Sequence, residues 1–173
     1  NDFVAGVATL LTGEAIYTVE FPHLLRLIRD VQFDTIYHEH YSYLSLLAVE
    51  KVFADKGLRV FDVEELGTHG GSLRVFACRN DASHPEWPGV AKVRADEAAA
   101  RLDSVEGYMG FAEKVQAVRD SLLQFLNSAR DQHKTVAAYG AAAKGNTLLN
   151  YCQVGPDLIA YCVDKNPAKQ NTL

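Results

Sequence analysis

Thr135-Val136-Ala137-Ala138-Tyr139-Gly140, running into Ala141-Ala142-Ala143-Lys144-Gly145-Asn146-Thr147 and on to Leu158-Ile159-Ala160-Tyr161-Cys162-Val163-Asp164, is the stretch that decides the fold. A β-prone run of small residues stops at a glycine and turns into a helix through Leu148, Leu149 and Tyr151. Gly155 and Pro156 break that helix, and a second apolar run follows. Strand, helix, strand at this spacing is a βαβ unit, the building block of a parallel sheet. A strand that ends in glycine before a helix offers backbone N–H groups and a positive dipole end to an anion. On this reading Gly140 allows close backbone approach, Lys144 supplies a charge for a phosphate, and Asp164 meets a ribose hydroxyl. Asp164 lies near the spacing of about 20 residues that such an acidic residue keeps from the glycine turn. Only one glycine marks the turn, however, so the G-x-G-x-x-G fingerprint is absent. The order Lys144-Gly145 also differs from a phosphate-binding P-loop. A plain strand-to-helix turn with a solvated lysine accounts for the same residues.

Upstream of this unit, Phe111, Val115, Val118, Leu122, Phe125 and Ala129 recur three and four apart, which predicts a long helix with one buried face. An Ala- and charge-rich helix precedes it, over about 90–105. Between Asn80 and Gly89 the chain turns to Asp, Ser and His with the breakers Pro85, Pro88 and Gly89, which reads as a domain boundary. Ahead of it stand two strand candidates, Leu58–Leu66 and Ser72–Cys78, joined by Gly67-Thr68-His69-Gly70-Gly71. That connector fits a hairpin with positive-φ positions.

The first third reads helix, strand, helices. Phe3, Val4, Val7, Leu10 and Leu11 share a helical face, Ala15–Phe21 is a buried strand ended by Pro22, and Leu24, Leu25 and Ile28 begin a short helix. Leu46, Leu47, Val49, Val52 and Phe53 make another helix, closed by Gly57. The expected class is therefore α/β: the tail of a mixed sheet with a closing antiparallel hairpin, then helices, then a second Rossmann-like βαβ unit. In residue ranges this is 1–80, linker helices 81–133, and the start of another domain at 134–173.

Between the short helix and the Leu46 helix lies Phe33-Asp34-Thr35-Ile36-Tyr37-His38-Glu39-His40-Tyr41-Ser42-Tyr43. Two imidazoles, two carboxylates and three phenols are a costly set to bury, since each needs a partner once desolvated. Presented from a connecting segment, they suit a general base, a carboxylate that orients it and a phenol that donates to an oxyanion. An aromatic-rich turn whose histidines bond nearby backbone is the plainer reading. His69 and Ser72, in the hairpin connector, are candidates to face the same cleft, although a simple turn explains them locally. His38 and His40 with His69 or His23 would be a metal set, but Cys-pair spacing and the His-Glu-x-x-His signature are both missing. No metal is assigned.

Composition narrows the function class. The chain has 173 residues, 48% of them hydrophobic, and a formal net charge of −5 from 17 basic and 22 acidic residues. It can build a core, and its scattered Lys and Arg argue against nucleic-acid binding. No apolar run approaches the roughly 18 residues that span a bilayer. Asn1-Asp2-Phe3-Val4 lacks the basic start of a signal peptide and reads as the interior of a longer protein. Cys78, Cys152 and Cys162 are unpaired in spacing; Cys78 and Cys162 sit in strand-like runs, which predicts packed, reduced thiols in a cytoplasmic protein.

Three blocks taken together, Phe33–Tyr43, His69-Gly70-Gly71-Ser72-Leu73-Arg74 and Tyr139-Gly140-Ala141-Ala142-Ala143-Lys144-Gly145-Asn146, resemble the S-adenosylmethionine-dependent C-methyltransferases of deoxysugar biosynthesis. The blocks occur in order and span nearly the whole chain. The resemblance implies a methyl transfer to a carbon beside the ketone of a nucleotide-linked sugar, with S-adenosylmethionine as donor. It places 1–80 at the end of a methyltransferase domain, with the strand ending at Phe21 as its fifth. Residues from 134 begin a Rossmann-like substrate domain. By the same resemblance His40 is the general base, Glu39 orients or polarises the site, and Tyr37 donates to the enolate oxygen. His38 keeps a supporting role. His69, Ser72, Gly140, Lys144 and Asp164 are the candidate substrate-binding residues. The family's glycine-rich cofactor loop and its N-terminal zinc ligands are not in this chain, so the isolated polypeptide is expected to be inactive. Two rival readings are a non-catalytic nucleotide-sugar-binding module and a methyltransferase for another small keto acceptor. The sugar, the base, the carbon methylated and the oligomeric state are not legible.

Overall fold

The computed structural model describes residues 2–170. Within them the chain forms two units. One comprises the chain through Gln32 together with Ser42–Met109; the other comprises Phe33–Tyr41 together with the residues from Gly110 onward.

The first unit is built on a three-stranded antiparallel sheet of β1 (Tyr17–Pro22), β2 (Leu58–Leu66) and β3 (Ser72–Arg79) in the order β1-β3-β2. The expected hairpin is present: β2 and β3 pair antiparallel, and β3 also pairs antiparallel with β1. Since both neighbours oppose β3, β1 and β2 run parallel to each other with β3 between them. Leu73, Val75 and Ala77 alternate along β3 onto one face and are fully buried. On β2 the alternation breaks: Leu58 and Val60 face the core, and so does Val63, one residue out of phase. A bulge between Val60 and Asp62 absorbs the extra residue, keeps Asp62 out of the core and moves Phe61 into a second cluster with Cys78 and Ala82.

Helices α1 (Asp2–Leu10), α2 (Leu24–Arg29), α3 (Leu46–Ala54) and α4 (Pro88–Ala99) complete this unit. Leu46, Val49 and Phe53, spaced three and four apart, bury one face of α3. Helix α4 adds Val90 and Val93 to the same core, and its start lies so close to β2 that a Cβ on Gly89 would meet the Val63 carbonyl at 2.6 Å. The helix expected to reach Val105 stops at Ala99. Arg101 takes the left-handed conformation and the Leu102 amide bonds back to the Glu97 carbonyl, a Schellman closure. Helix α2 closes the same way through Val31, at φ 53°, with the Gln32 amide on the Leu27 carbonyl. A β-branched residue there is strained, because its Cβ crowds the carbonyl oxygen.

One buried polar knot ties these helices together. His23 and Glu97 are each only 3% exposed, and His23 Nε2 lies 2.8 Å from Glu97 Oε1. Glu97 also caps α3: its Oε1 accepts the Leu46 amide at 2.6 Å and its Oε2 the Leu47 amide at 2.9 Å. Ser45 Oγ accepts the next amide, that of Ala48. The first three amides of α3, which no helix can satisfy internally, are thereby paired.

The second unit holds α5 (Phe111–Asp131), β4 (Ala137–Tyr139), α6 (Ala143–Cys152) and β5 (Tyr161–Val163). β4 and β5 are parallel and joined through α6, as the βαβ spacing predicted, though each strand is only three residues long. On α5 the buried residues are Val115, Leu126 and Ala129, whereas Phe125 is 62% exposed and Val118 is exposed as well. The expected stripe is corrected here: Val118 and Phe125, seven apart, lie on a neighbouring row that faces an open groove with Leu148. Of the two thiols expected to pack, Cys78 is buried but Cys162 is exposed, and Cys152 is buried as well. Burial raises the pKa of both Cys78 and Cys152. Among the described residues no helix is long and apolar enough to cross a membrane.

Replacing Glu97 by Ala would leave a buried imidazole and two α3 amides without partners, and should cost about 3–5 kcal/mol in urea unfolding. Val31→Gly should instead stabilise by about 0.5–1 kcal/mol in the same measurement, as relief of left-handed strain exceeds the entropy added to the unfolded chain.

Candidate active site

The connecting segment Phe33–Tyr41 is folded into turns. It begins with one turn of 3₁₀ helix, Phe33–Thr35, with the Ile36 amide on the Phe33 carbonyl. A reverse turn follows, closed by the His40 amide donating to the Tyr37 carbonyl at 3.0 Å. The turn folds the chain so that residues 37 and 40 meet. Their ring centroids are 4.4 Å apart with the planes inclined at 34°. His38 and Glu39 occupy the tip, His38 being 90% exposed, with 4.0 Å between His38 Nε2 and Glu39 Oε1. The turn is rooted by Phe33, which is buried and packs edge-on against Tyr151 of α6 at 5.0 Å. The two histidines are thus split between the stack and the tip. Among the described residues no three His, Cys, Asp or Glu side chains converge as a metal would require.

At the β4–α6 junction Gly140 takes φ 99°, and a Cβ there would meet no atom within 4 Å. The Gly140 amide donates to Val163 and extends the ladder by one bond. Asp164 follows β5 directly. Its Oδ2 accepts the Ala141 amide and its Oδ1 the Asn166 amide, both at 2.8 Å. Lys169 reaches back to the Ala141 carbonyl at 2.6 Å, with its Nζ 3.7 Å from Asp164 Oδ2. These contacts clamp the loop that leads into α6. The two backbone amides, and then the Lys169 charge, hold the Asp164 carboxyl below its ordinary value. Lys144 stands in the first turn of α6, and an open groove runs past Tyr139, Gly140, Gly145 and Asn146. So Gly140, Lys144 and Asp164 share one junction, with Asp164 acting first on the loop itself. Each of its oxygens retains a further lone pair.

His69 and Ser72 lie in the other unit, in the β2–β3 connector. His69 (φ 55°), Gly70 (φ 89°) and Gly71 (φ 119°) form a run of positive φ, as a glycine-rich hairpin connector requires. Gln32 donates to the Gly70 carbonyl, and Arg26 crowds Gly71, where a Cβ would meet its Cγ at 2.7 Å. Ser72 is buried and its hydroxyl donates to the Thr68 carbonyl. Lys169 escaped the sequence reading. Its signal is Asn166-Pro167, in which Asn166 caps a 3₁₀ turn that returns the lysine to the loop.

A family model described as the C-methyltransferase C-terminal domain matches residues 67–173, more than half of the chain. The chain belongs to this C-methyltransferase family. A curated relative, C-methyltransferase NovU of Streptomyces niveus, is 38% identical over all 173 residues, and the chain spans 41% of that relative's length. The family match begins in the hairpin connector and includes the whole β4–α6–β5 junction; the relative's match also includes the Tyr37–His40 turn.

For this C-methyltransferase domain the Asp164 clamp makes a pH-dependent prediction. A carboxyl whose folded pKa is lowered contributes stability above its unfolded value, and that contribution is lost as pH falls through the folded value. Asp164→Asn should therefore speed amide exchange at Ala141 and Asn166 near pH 7. The difference from wild type should vanish once the pH falls below the ordinary carboxylate range. Amide exchange followed by NMR from neutral to acid pH checks both halves.

Proposed function

We propose that this chain is part of an S-adenosylmethionine-dependent enzyme that methylates the carbon beside the ketone of a nucleotide-linked deoxysugar. The observation that carries the reading is the His40–Tyr37 ring pair in its reverse turn, found in a chain of the C-methyltransferase family. The sheet order supports it: β1, β3 and β2 have the arrangement expected of a fifth strand followed by a closing antiparallel pair in a methyltransferase sheet.

C-methylation needs a proton removed from a carbon flanking a carbonyl, and the enolate that forms must be stabilised. His40 is the general base, taking the proton at a ring nitrogen. The Tyr37 phenol, held beside the imidazole, donates to the developing enolate oxygen, and Glu39 orients the site from the tip of the turn. S-adenosylmethionine, when bound, supplies the electrophilic methyl. Among the described residues none is assigned to the cofactor, and no step is routed through its contacts. Zinc, likewise, is assigned to an N-terminal region of the family and to none of these residues. The β4–α6 junction is the proposed nucleotide-sugar site, with Gly140 admitting the ligand, Lys144 meeting a phosphate and Asp164 using its spare lone pairs on a ribose hydroxyl. His69 and Ser72 are proposed to contribute from the connector.

In the full-length enzyme His40→Ala should lower turnover by about 10²–10⁴-fold with little change in acceptor affinity. Steady-state assays with a nucleotide-linked ketosugar and, in parallel, a free keto acid check the base and the acceptor class together. Near-normal turnover in the variant removes His40 from the role. Preference for the free acid removes the sugar nucleotide.

A further inference from the structure

The reactive segment and the β4–α6 junction are far apart in sequence, yet both belong to the second unit. Helix α6 is the element they share. In the 3₁₀ turn Phe33–Thr35 side chains three apart eclipse, so Phe33 and Ile36 leave the chain on the same side. Both line one cavity, together with Phe111 and Val115 of α5 and Thr147 and Tyr151 of α6. Phe33 is buried, and its ring meets that of Tyr151 edge-on with the centroids 5.0 Å apart. Tyr37 follows Ile36 directly, so the root of the Tyr37–His40 stack is seated against α6. The same face of α6 continues to the junction. Lys144, Thr147 and Tyr151 are three and four apart and form one row. Lys144 stands half-buried in the first turn of the helix, and Tyr151 is in the last turn. From Lys144 to Tyr151 the helix rises about 10 Å.

A phosphate joined to one sugar ring has a length of that order. In a nucleotide-linked sugar the diphosphate is carried on the anomeric carbon, and any carbon beside a ring ketone lies within the ring's width of it. We propose that α6 is the ruler for this substrate, and that Phe33 and Tyr151 are the positioning residues that hold the Tyr37–His40 turn to it. This rests on the catalytic reading of the turn and on the nucleotide reading of the junction. Lys144 fixes the phosphate at one end of the row, and the Phe33–Tyr151 contact fixes the turn at the other. The general base then meets the ring carbon at a distance set by one helix, which holds a site more precisely than a loop does. Only the two rings make the contact, so the Tyr151 hydroxyl is not needed for it. A misplacement on the order of 1 Å at a reacting group costs about 10²-fold in rate, so loosening this seat should be felt in turnover.

The test uses the full-length enzyme. For each variant it compares turnover of a nucleotide-linked ketosugar, calorimetric affinity for the diphosphates of uridine, guanosine and thymidine, and melting temperature. Tyr151→Ala and Phe33→Ala each remove one ring of the contact, and Tyr151→Phe keeps the ring without its hydroxyl. Leu126→Ala opens the buried face of α5 about three turns beyond Val115, outside the cavity lining. Tyr151→Ala and Phe33→Ala should each lower kcat about 10- to 100-fold, with diphosphate affinity held within about twofold. Tyr151→Phe should keep kcat within about threefold, and so should Leu126→Ala at a comparable loss of Tm. The double variant should lose little more than either single one, since one contact cannot be removed twice. A fall of kcat in simple proportion to lost Tm across these variants overturns the positioning role. Additive losses in the double variant overturn it too, as does a Tyr151→Phe enzyme as slow as Tyr151→Ala. If Phe33→Ala does not fold, the two Tyr151 variants decide alone, and equal kcat in them overturns it. Normal turnover in His40→Ala would instead bring down the catalytic reading, and the positioning role with it. Wild type that binds none of the diphosphates, or Lys144→Ala that binds them equally well, would do the same to the nucleotide reading and to the ruler.

Discussion

The Glu97 carboxylate is the constraint on which the first unit depends. A carboxyl group only 3% exposed survives when it is well hydrogen-bonded, and here one serves an imidazole and two helix-start amides. The cost of removing it from water is offset by three donors that would otherwise be orphaned. The arrangement works only if α2, α3 and α4 meet at one place, so the knot selects a single assembly of those helices over the sheet. Hydrophobic burial drives the collapse of Leu46, Leu73, Val75 and Val90, but many slightly rotated packings would bury nearly the same area.

A second constraint is the insertion of β3 between β1 and β2. β3 carries the most buried face of the sheet and pairs on both edges, and its polar face is tied across strands by Arg74, which reaches both Glu20 and Glu64 at 3.1 Å. Exposed ion pairs of this kind add little stability, yet they penalise any slip in register. The connector that allows the insertion is a run of three residues at positive φ. It is held by Arg26 of α2 and by Gln32 just beyond that helix.

In the second unit a local clamp organises the β4–α6 junction. β4 and β5 are short and exposed, and the Asp164 carboxylate with Lys169 holds the loop between strand and helix. The clamp gives the junction a defined shape before any ligand arrives. A helix start whose approach is preset orders less on binding and so loses less affinity to entropy.

Local chemistry in the sequence was enough to read the order of elements, the hairpin at Gly67–Gly71, the βαβ unit around Gly140 and the concentration of reactive groups between Phe33 and Tyr43. Each rests on neighbours within a turn or two: glycine where φ must be positive, alternation on a strand, a strand-to-helix stop. Tertiary structure alone decided the rest. It chose which row of α5 to bury, leaving Phe125 out, because a helix with two apolar rows is turned by whatever packs against it. It converted the His-x-His spacing into a reverse turn that stacks His40 on Tyr37 and sends His38 to the tip. It joined His23 to Glu97 across 74 positions, a pairing no local pattern encodes, since a glutamate in a charge-rich helix looks solvated until the cap it serves arrives.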